Sequence, residues 1–216
     1  MSGAGATSVG GNWPEWTITV AHHDGAEVPA FSYAVLEGLD ERALVAACLA
    51  GQREAFDELV VRHRRAIYQV CYRFVGNHED ATDLAQETFL RAYRALRNFK
   101  GDAQVGTWLY RIAVNLCLNK VSARTPRTEP VDERLALPSR EPDAVSRLMT
   151  EERAGLVRAA VARLPPRQRA TLILRVYQDL SHQEIARALG SSVGAVKANF
   201  FHALQNLRRL LRDASV

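Results

Sequence analysis

Apolar residues recur every three or four positions over most of the chain, and almost nowhere do they alternate. That spacing gathers them on one face of a helix, because 3.6 residues complete a turn. Asp40 can cap a first helix that runs through Ala50 and ends at Gly51. A longer helix, about Arg53–Val75, collects Phe56, Leu59, Val60, Ile67, Val70, Cys71 and Phe74 on one side. Arg62, Arg64, Arg65 and Arg73 occupy its other sides, and Gly76–Asn77 ends it. A third helix spans about Glu79–Asn98. Phe99–Gly106 contains two glycines and reads as a loop, and a fourth helix starts near Thr107 with Leu109, Ile112, Ala113 and Leu116 facing inward. The helical period resumes over Asp143–Leu164, Pro165–Pro166 breaks it, and Arg167–Gln178 forms another short helix.

The last stretch, Leu180–Leu211, has the clearest punctuation. Ser181 and Glu184 make a capping box, so a helix should begin at His182. Ile185, Ala188 and Leu189 keep one face of it apolar, and Gly190 stops it. Ser192 can cap a second helix, in which Val196, Phe200, Ala203, Leu207 and Leu210–Leu211 form a buried stripe. Two helices joined by so short a turn have the geometry of a helix-turn-helix that lays its second helix in the DNA major groove. An ordinary helical hairpin has the same spacing.

Two segments lack the period. Residues 123–142 contain Pro126, Pro130, Pro138 and Pro142, a density that bars a continuous helix and marks a linker. Residues 1–39 are rich in Gly, Ser, Ala and Thr, with scattered Trp13, Trp16, Phe31 and Tyr33, and read as a mostly disordered extension. The expected fold is therefore all-α. Two small helical domains, 40–122 and 143–216, are joined by a Pro-rich linker, and the second contains the helix-turn-helix.

Charge adds an asymmetry. Residues 1–40 hold Glu15, Asp24, Glu27, Glu37 and Asp40 and no Lys or Arg, so the remaining residues carry 28 basic against 19 acidic side chains, a net +9. A basic body suits a polyanionic partner, though a merely solvated surface has the same composition. No run approaches the ~18 apolar residues that would span a bilayer, and the N-terminus does not read as a secretory signal. Membrane insertion is not expected. Cys48, Cys71 and Cys117 lie far apart in apolar faces without a CxxC pair, as expected of small buried hydrophobes in a reducing cytoplasm. His22–His23 stand without nearby cysteines, and neither a metal nor a cofactor is expected.

Two polar stripes stand out. In DATDLAQETFLRAYRALRNF, Asp80, Asp83 and Glu87 fall at i, i+3 and i+7, with Gln86 beside them. Acids early and Arg91, Arg94, Arg97 and Lys100 late suit the helix dipole. The same stripe is also an acidic face for a basic protein partner. In TWLYRIAVNLCLNK, Trp108, Arg111, Asn115 and Asn119 form a second stripe, next to Lys100 and Lys120. Trp, Arg and Asn together can stack on bases and bond their edges, or simply form a solvated face around a partly buried Trp.

These pieces together resemble the extracytoplasmic-function (ECF) subfamily of bacterial sigma factors, over about Ala43–Arg212. The first block, with GTWLYRIAVNLCLNK, is similar to the family's second conserved region. RLPPRQRATLILRVYQDLSHQEIARALGSSVGAVKANFFHAL is similar to its fourth. The resemblance implies that the acidic helix around Asp80, Asp83, Gln86 and Glu87 docks on the clamp helices of core RNA polymerase. It implies that Phe99–Gly106, including Lys100 and Gln104, acts with Trp108, Arg111, Asn115, Asn119 and Lys120 to recognise and open the −10 element of promoter DNA. The last helix, with Ser192, Ala195, Lys197, Ala198, Asn199, Phe201 and His202, would read the −35 element as duplex. Family members are commonly held by an anti-sigma factor, a further expected partner.

Physics supports this division. Opened DNA recovers its unstacking cost when bases stack on aromatics, whereas a paired element is read from the major groove. A linker of ~20 residues reaches at most ~66 Å, enough for elements ~50 Å apart if it is held extended. The chain departs from the family in its recognition helix, where Lys197 is the only fixed positive charge of Lys197–His202. Few phosphate contacts mean weak DNA binding by this domain alone. A stand-alone operator-binding regulator is the alternative, but the Trp108 stripe and the acidic helix have no use in it. An enzyme is not expected, because no nucleophile–base constellation or phosphate-cradling glycine loop occurs.

Overall fold

The computed structural model describes residues 36–99, 101, 103–123 and 144–214, with side chains from residue 153 in the last of these stretches. The expected extension before residue 36, Lys100 and the linker from 124 to 142 lie outside the described residues. Among the described residues these α-helices follow one another: α1 (Glu41–Leu49), α2 (Glu54–Val75), α3 (His78–Ala95), α4 (Val105–Ala123), α5 (Ala144–Ala162), α6 (Pro166–Tyr177), α7 (His182–Leu189) and α8 (Val193–Asp213). A 3₁₀ turn, Leu96–Asn98, ends α3. No strand occurs among the described residues.

Local chemistry sets the helix ends. Asp40 Oδ1 accepts the Ala43 amide at 2.7 Å, and Asn77 Oδ1 accepts that of Asp80 at 2.8 Å. Ser181 and Glu184 close both arms of their box, since Ser181 N donates to Glu184 Oε2 at 2.8 Å and Glu184 N to Ser181 Oγ at 3.3 Å. Pro166 occupies the first position of α6, where its missing N–H costs nothing. Gly76 and Gly190 end α2 and α7 in the left-handed region, at φ 78° and 58°. Two expected boundaries shift. α4 begins at Val105 rather than Thr107, because Gln104 O accepts the Trp108 amide. The fold also takes in Leu36–Leu39 ahead of the expected start at residue 40. Leu36 is buried, and the Arg62 guanidinium donates to the carbonyls of Leu36, Glu37 and Leu39.

α2 is the axis of the N-terminal half. Ile67, Val70, Cys71 and Phe74 pack with Phe89 of α3 and with Leu109, Ala113 and Cys117 of α4. In the C-terminal half, Ala160, Val161, Leu164, Leu172, Ala203 and Leu210 form a second, smaller cluster. The halves do not stand apart. Ala170, Ile173 and Leu174 of α6, Ile185, Ala186 and Ala188 of α7 and Val196 of α8 join the core of the N-terminal half. α6 is thus buried from two sides, which explains its unbroken run Ala170–Leu174. Each fully buried Ile or Leu at this junction contributes roughly 1.5–3 kcal/mol.

Polar contacts fix the register. Arg169, 7 % exposed, donates through Nη1 to Phe74 O at the end of α2 at 2.9 Å. It also donates through Nη2 to the carbonyls of Ala162 and Leu164. Tyr110 of α4 donates to Gln178 Oε1 at 2.6 Å. The Arg73 guanidinium lies 3.5 Å from the centroid of the Tyr177 ring. The two helical halves therefore close on each other through a shared core as well as a chain connection.

Candidate nucleic-acid and polymerase interface

The fourth helix displays its expected stripe. Arg111, Asn115 and Asn119 are exposed in line along α4, on the side away from buried Leu109, Ala113, Val114, Leu116 and Cys117. Trp108 heads the stripe half-buried, its ring 4.9 Å from that of Phe99 and tilted by 44°. One side of the indole is thus supported by the loop that precedes the helix, and part of it remains available for stacking. Gln104 is exposed at the same end. The sequence named Phe99 only as the start of its loop and not as a partner of Trp108, although an aromatic nine residues ahead of a Trp across a glycine-flanked loop was a usable signal.

Lys120 and Asp80 meet each other. Lys120 Nζ lies 2.9 Å from Asp80 Oδ1, and the Asp80 carboxylate, 13 % exposed, also accepts Asn77 Nδ2 at 2.8 Å. The pair ties the start of α3 to the end of α4. Asp80 therefore leaves the acidic stripe for an interhelical contact, a choice that one-dimensional spacing could not reveal. Asp83 is exposed, Gln86 is half-buried, and Glu87 pairs with Arg91 at 2.6 Å. Beyond them Leu90 and Tyr93, 41 % and 38 % exposed, extend the surface, with Tyr93 edge-on to Phe56 at 5.0 Å. An acidic patch continued by exposed apolar side chains suits a protein partner more than a solvated face, because apolar surface on a helix otherwise turns inward. Leu90 and Tyr93 were absent from the sequence-based set, though Leu90 stands seven residues after Asp83 on the same face.

In the helix-turn-helix, Ser192, Ala195, Lys197, Ala198, Phe201 and His202 are exposed, and Asn199 is half-buried. Ser192 is also the cap of α8, its Oγ accepting the Ala195 amide at 3.1 Å. Val196 and Ala203 are buried and Phe200 faces inward against His182, so the two adjacent phenylalanines divide: Phe200 packs and Phe201, 58 % exposed, points out. Phe201 and His202 lie edge to face at 5.6 Å. The presented face is small and apolar at Ala195 and Ala198, charged only at Lys197, and aromatic at Phe201. Arg187 of α7 and Arg208, Arg209 and Arg212 further along α8 are exposed outside that face.

The buried ionisable groups are structural. Burial lowers the pKa of Arg169 and of Arg73, and raises that of Tyr110, with Glu41 adding to the last. Cys117 lies against Cys71, and that contact, with burial, raises its pKa. Among the described residues, no group of three or more His, Cys, Asp or Glu side chains could hold a metal ion. No helix among them is long and apolar enough to cross a membrane.

The family description "Sigma-70 region 2" matches residues 59–127, and "Sigma-70, region 4" matches residues 154–207. The RNA polymerase sigma-H factor of Pseudomonas aeruginosa is 36 % identical over 189 residues, covering 81 % of this chain and 97 % of that protein. The ECF RNA polymerase sigma factor SigW of Bacillus subtilis is 33 % identical over 175 residues, covering 76 % and 92 %. Among solved structures, CnrH in complex with the cytosolic domain of CnrY is similar at a TM-score of 0.62 and 28 % identity, over 82 % of this chain and 99 % of that one. The sigma factor RpoE of Bartonella quintana, solved with the anti-sigma factor NepR, shares the fold at a TM-score of 0.55 and 17 % identity, over 73 % and 96 %.

Proposed function

The chain belongs to the ECF group of the sigma-70 family and directs promoter-specific transcription initiation by RNA polymerase, and from that premise we propose how its surfaces share the work. Residues 40–122 act as the region that holds the polymerase clamp and opens the −10 element. Asp83, Gln86 and Glu87 meet the clamp helices, with Leu90 and Tyr93 as their apolar extension. Trp108 stacks on an extruded base while Arg111, Asn115 and Asn119 bond backbone and base edges, with Lys100 and Gln104 at the entrance. The single observation that carries this is the line of exposed Arg111, Asn115 and Asn119 behind half-buried Trp108, on the side of α4 away from its core face. Asp80 and Lys120, engaged with each other, hold α3 and α4 at the angle this surface needs.

Residues 143–216 read the −35 element. Ser192 and Lys197 contact phosphates, Phe201 touches a thymine methyl, and Ala195, Ala198, Asn199 and His202 approach base edges. With Lys197 as its one fixed charge, this face binds DNA usefully only when polymerase delivers it. The chain works by binding, without catalysis of its own, in the cytoplasm where polymerase and promoters are. The likeness to CnrH, solved with a cytosolic domain of another protein, supports an anti-sigma partner for this chain as well.

Promoter reading requires the halves to part. α4 packs on α7 and α7 on α8, steps of about 8–10 Å each. α4 itself is about 28 Å long at 1.5 Å per residue. Summed, these steps put the two reading faces at most about 48 Å apart, under the ~50 Å between elements one and a half turns apart. The linker 124–142 supplies the slack. Run-off transcription with purified core polymerase and promoter fragments tests the whole reading; no promoter-dependent transcript from any fragment would sink it.

A further inference from the structure

Where the halves meet beside the end of α2 there is a cavity of about 40 Å³. Tyr72 and Arg73 line it from the N-terminal half, and Arg158, Val161 and Tyr177 from the C-terminal half. About 10–15 Å³ suffices for one water, so the space admits a group of a few heavy atoms. Two arginines line it in an otherwise largely apolar wall, and among the described residues no Asp or Glu does. Arg73 is spread against the Tyr177 ring, which satisfies its face but not its edge, and its Nε is buried without a hydrogen-bond partner among the described residues. Arg158 lies close enough to oppose the charge on Arg73, and only the tyrosines Tyr177 and Tyr72 favour it. Two like charges beside each other, one of them with a buried donor unspent, are costly when left alone. They are what a planar or tetrahedral oxyanion needs, since guanidinium N–H groups fit carboxylate and phosphate in pairs.

We propose that this seam cavity is an oxyanion site, in which Arg73 and Arg158 clasp a carboxylate or phosphate group between the two halves. Because the walls come from both halves, the ligand binds only the closed arrangement and stabilises it by mass action. Two sources share this chemistry. One is a free oxyanion such as inorganic phosphate. The other is the chain's own residues 1–35, which hold Glu15, Asp24 and Glu27 and no Lys or Arg. Arg62 anchors Leu36 on the same helix as Arg73, about 16 Å away by helical rise. The nine steps from Leu36 back to Glu27 can span up to ~30 Å, which brings the Glu27 carboxylate within reach, and Asp24 and Glu15 have more chain to spend. Bound oxyanion would also oppose the opening that promoter reading requires; that consequence rests on the proposed function, whereas the binding does not.

Thermal melts of the full chain, without polymerase or DNA, test the site. The chain and its Glu15→Gln/Asp24→Asn/Glu27→Gln variant are melted in inorganic phosphate and in chloride at matched ionic strength, each with and without Arg158→Gln. A rise of roughly 3–6 °C is expected at phosphate ten times its dissociation constant. A rise in both chains identifies a free oxyanion as the occupant, and a rise confined to the neutralised variant identifies the chain's own carboxylates. In either case Arg158→Gln abolishes the rise, and Arg158→Lys keeps part of it. The proposal is overturned if neither chain responds, or if the response survives Arg158→Gln undiminished, as the general stabilising action of phosphate would.

Discussion

Replacing Arg169 by Met should loosen the whole molecule, because one side chain of α6 ties together the ends of α2 and α5. Its guanidinium donates to Phe74 O at the end of α2 and to Ala162 O and Leu164 O after α5. These carbonyls have no further partner in their own helices, and at 7 % exposure the arginine shields them from water. A hydrogen bond to a charged donor contributes about 1.5–3 kcal/mol, so the bonds to Phe74 O and Ala162 O, with the longer 3.4 Å contact to Leu164 O, represent a gross ~4–7 kcal/mol. The wild type bears the cost of burying the charge, and Met fills much of the volume, which leaves a net loss of about 3–5 kcal/mol. For a chain of this size that is a fall in Tm of roughly 6–20 °C. Urea unfolding followed by far-UV circular dichroism measures it directly. Arg169→Lys should fall between, since an ammonium keeps the charge but cannot fork to three acceptors. A loss below about 1 kcal/mol for Arg169→Met is the size of an exposed ion pair. That result would refute the view that this arginine holds the halves in register.

Ser181→Ala removes the hydroxyl that accepts the Glu184 amide and donates to Glu184 Oε2, leaves the arm from the residue-181 amide, and should cost about 1 kcal/mol in urea unfolding at neutral pH. The Ser181 hydroxyl and amide hold the Glu184 pKa below its ordinary 4.5, so the carboxylate's contribution is present above 4.5 and lost as pH falls through the lower folded value. The gap between wild type and variant should accordingly narrow in acid; a gap that widens would contradict it. Trp108→Ala should impair promoter opening, read by permanganate reactivity of unpaired thymines, more than polymerase binding. It should also cost about 1–2 kcal/mol of stability from the lost packing on Phe99. Equal loss of opening and binding would make Trp108 a packing residue only. Asp83→Arg, at an exposed position, should leave stability within ~0.5 kcal/mol while abolishing polymerase capture in a pull-down; retained capture would move the clamp contact elsewhere.

The helix ends were readable because their causes are local. Asp40, Ser181 with Glu184, Ser192, Gly76 and Gly190 act on amides and carbonyls within four residues, so sequence spacing carries their whole geometry. The stripe from Trp108 to Asn119 was readable for the same reason: a single helix decides which side chains share a face. Phe200 and Phe201, neighbours of one type, were separated correctly by the 3.6-residue period alone. Residues that meet across helices escaped. Asp80 looked like a member of the acidic face until Lys120, forty positions away, drew it aside. Arg73 looked like a surface charge, Arg169 and Leu90 carried no role, and Phe99 was named only as the start of the loop before α4.

What the sequence determined by itself is thus the list of helices, their ends, their inward faces and, through two motif blocks in order, the sigma family. What only the tertiary structure decided is how the two halves meet. The run Ala170–Leu174 announces a helix buried on two sides but not which surface covers each side. That depends on Phe74, Tyr110 and Tyr177 arriving from distant parts of the chain. Helix formation is set by neighbours a turn away, whereas burial of charge at Arg169 and Arg73 is set by packing between segments the sequence holds far apart. The closed seam, with its two arginines around one cavity, belongs wholly to that second kind of information.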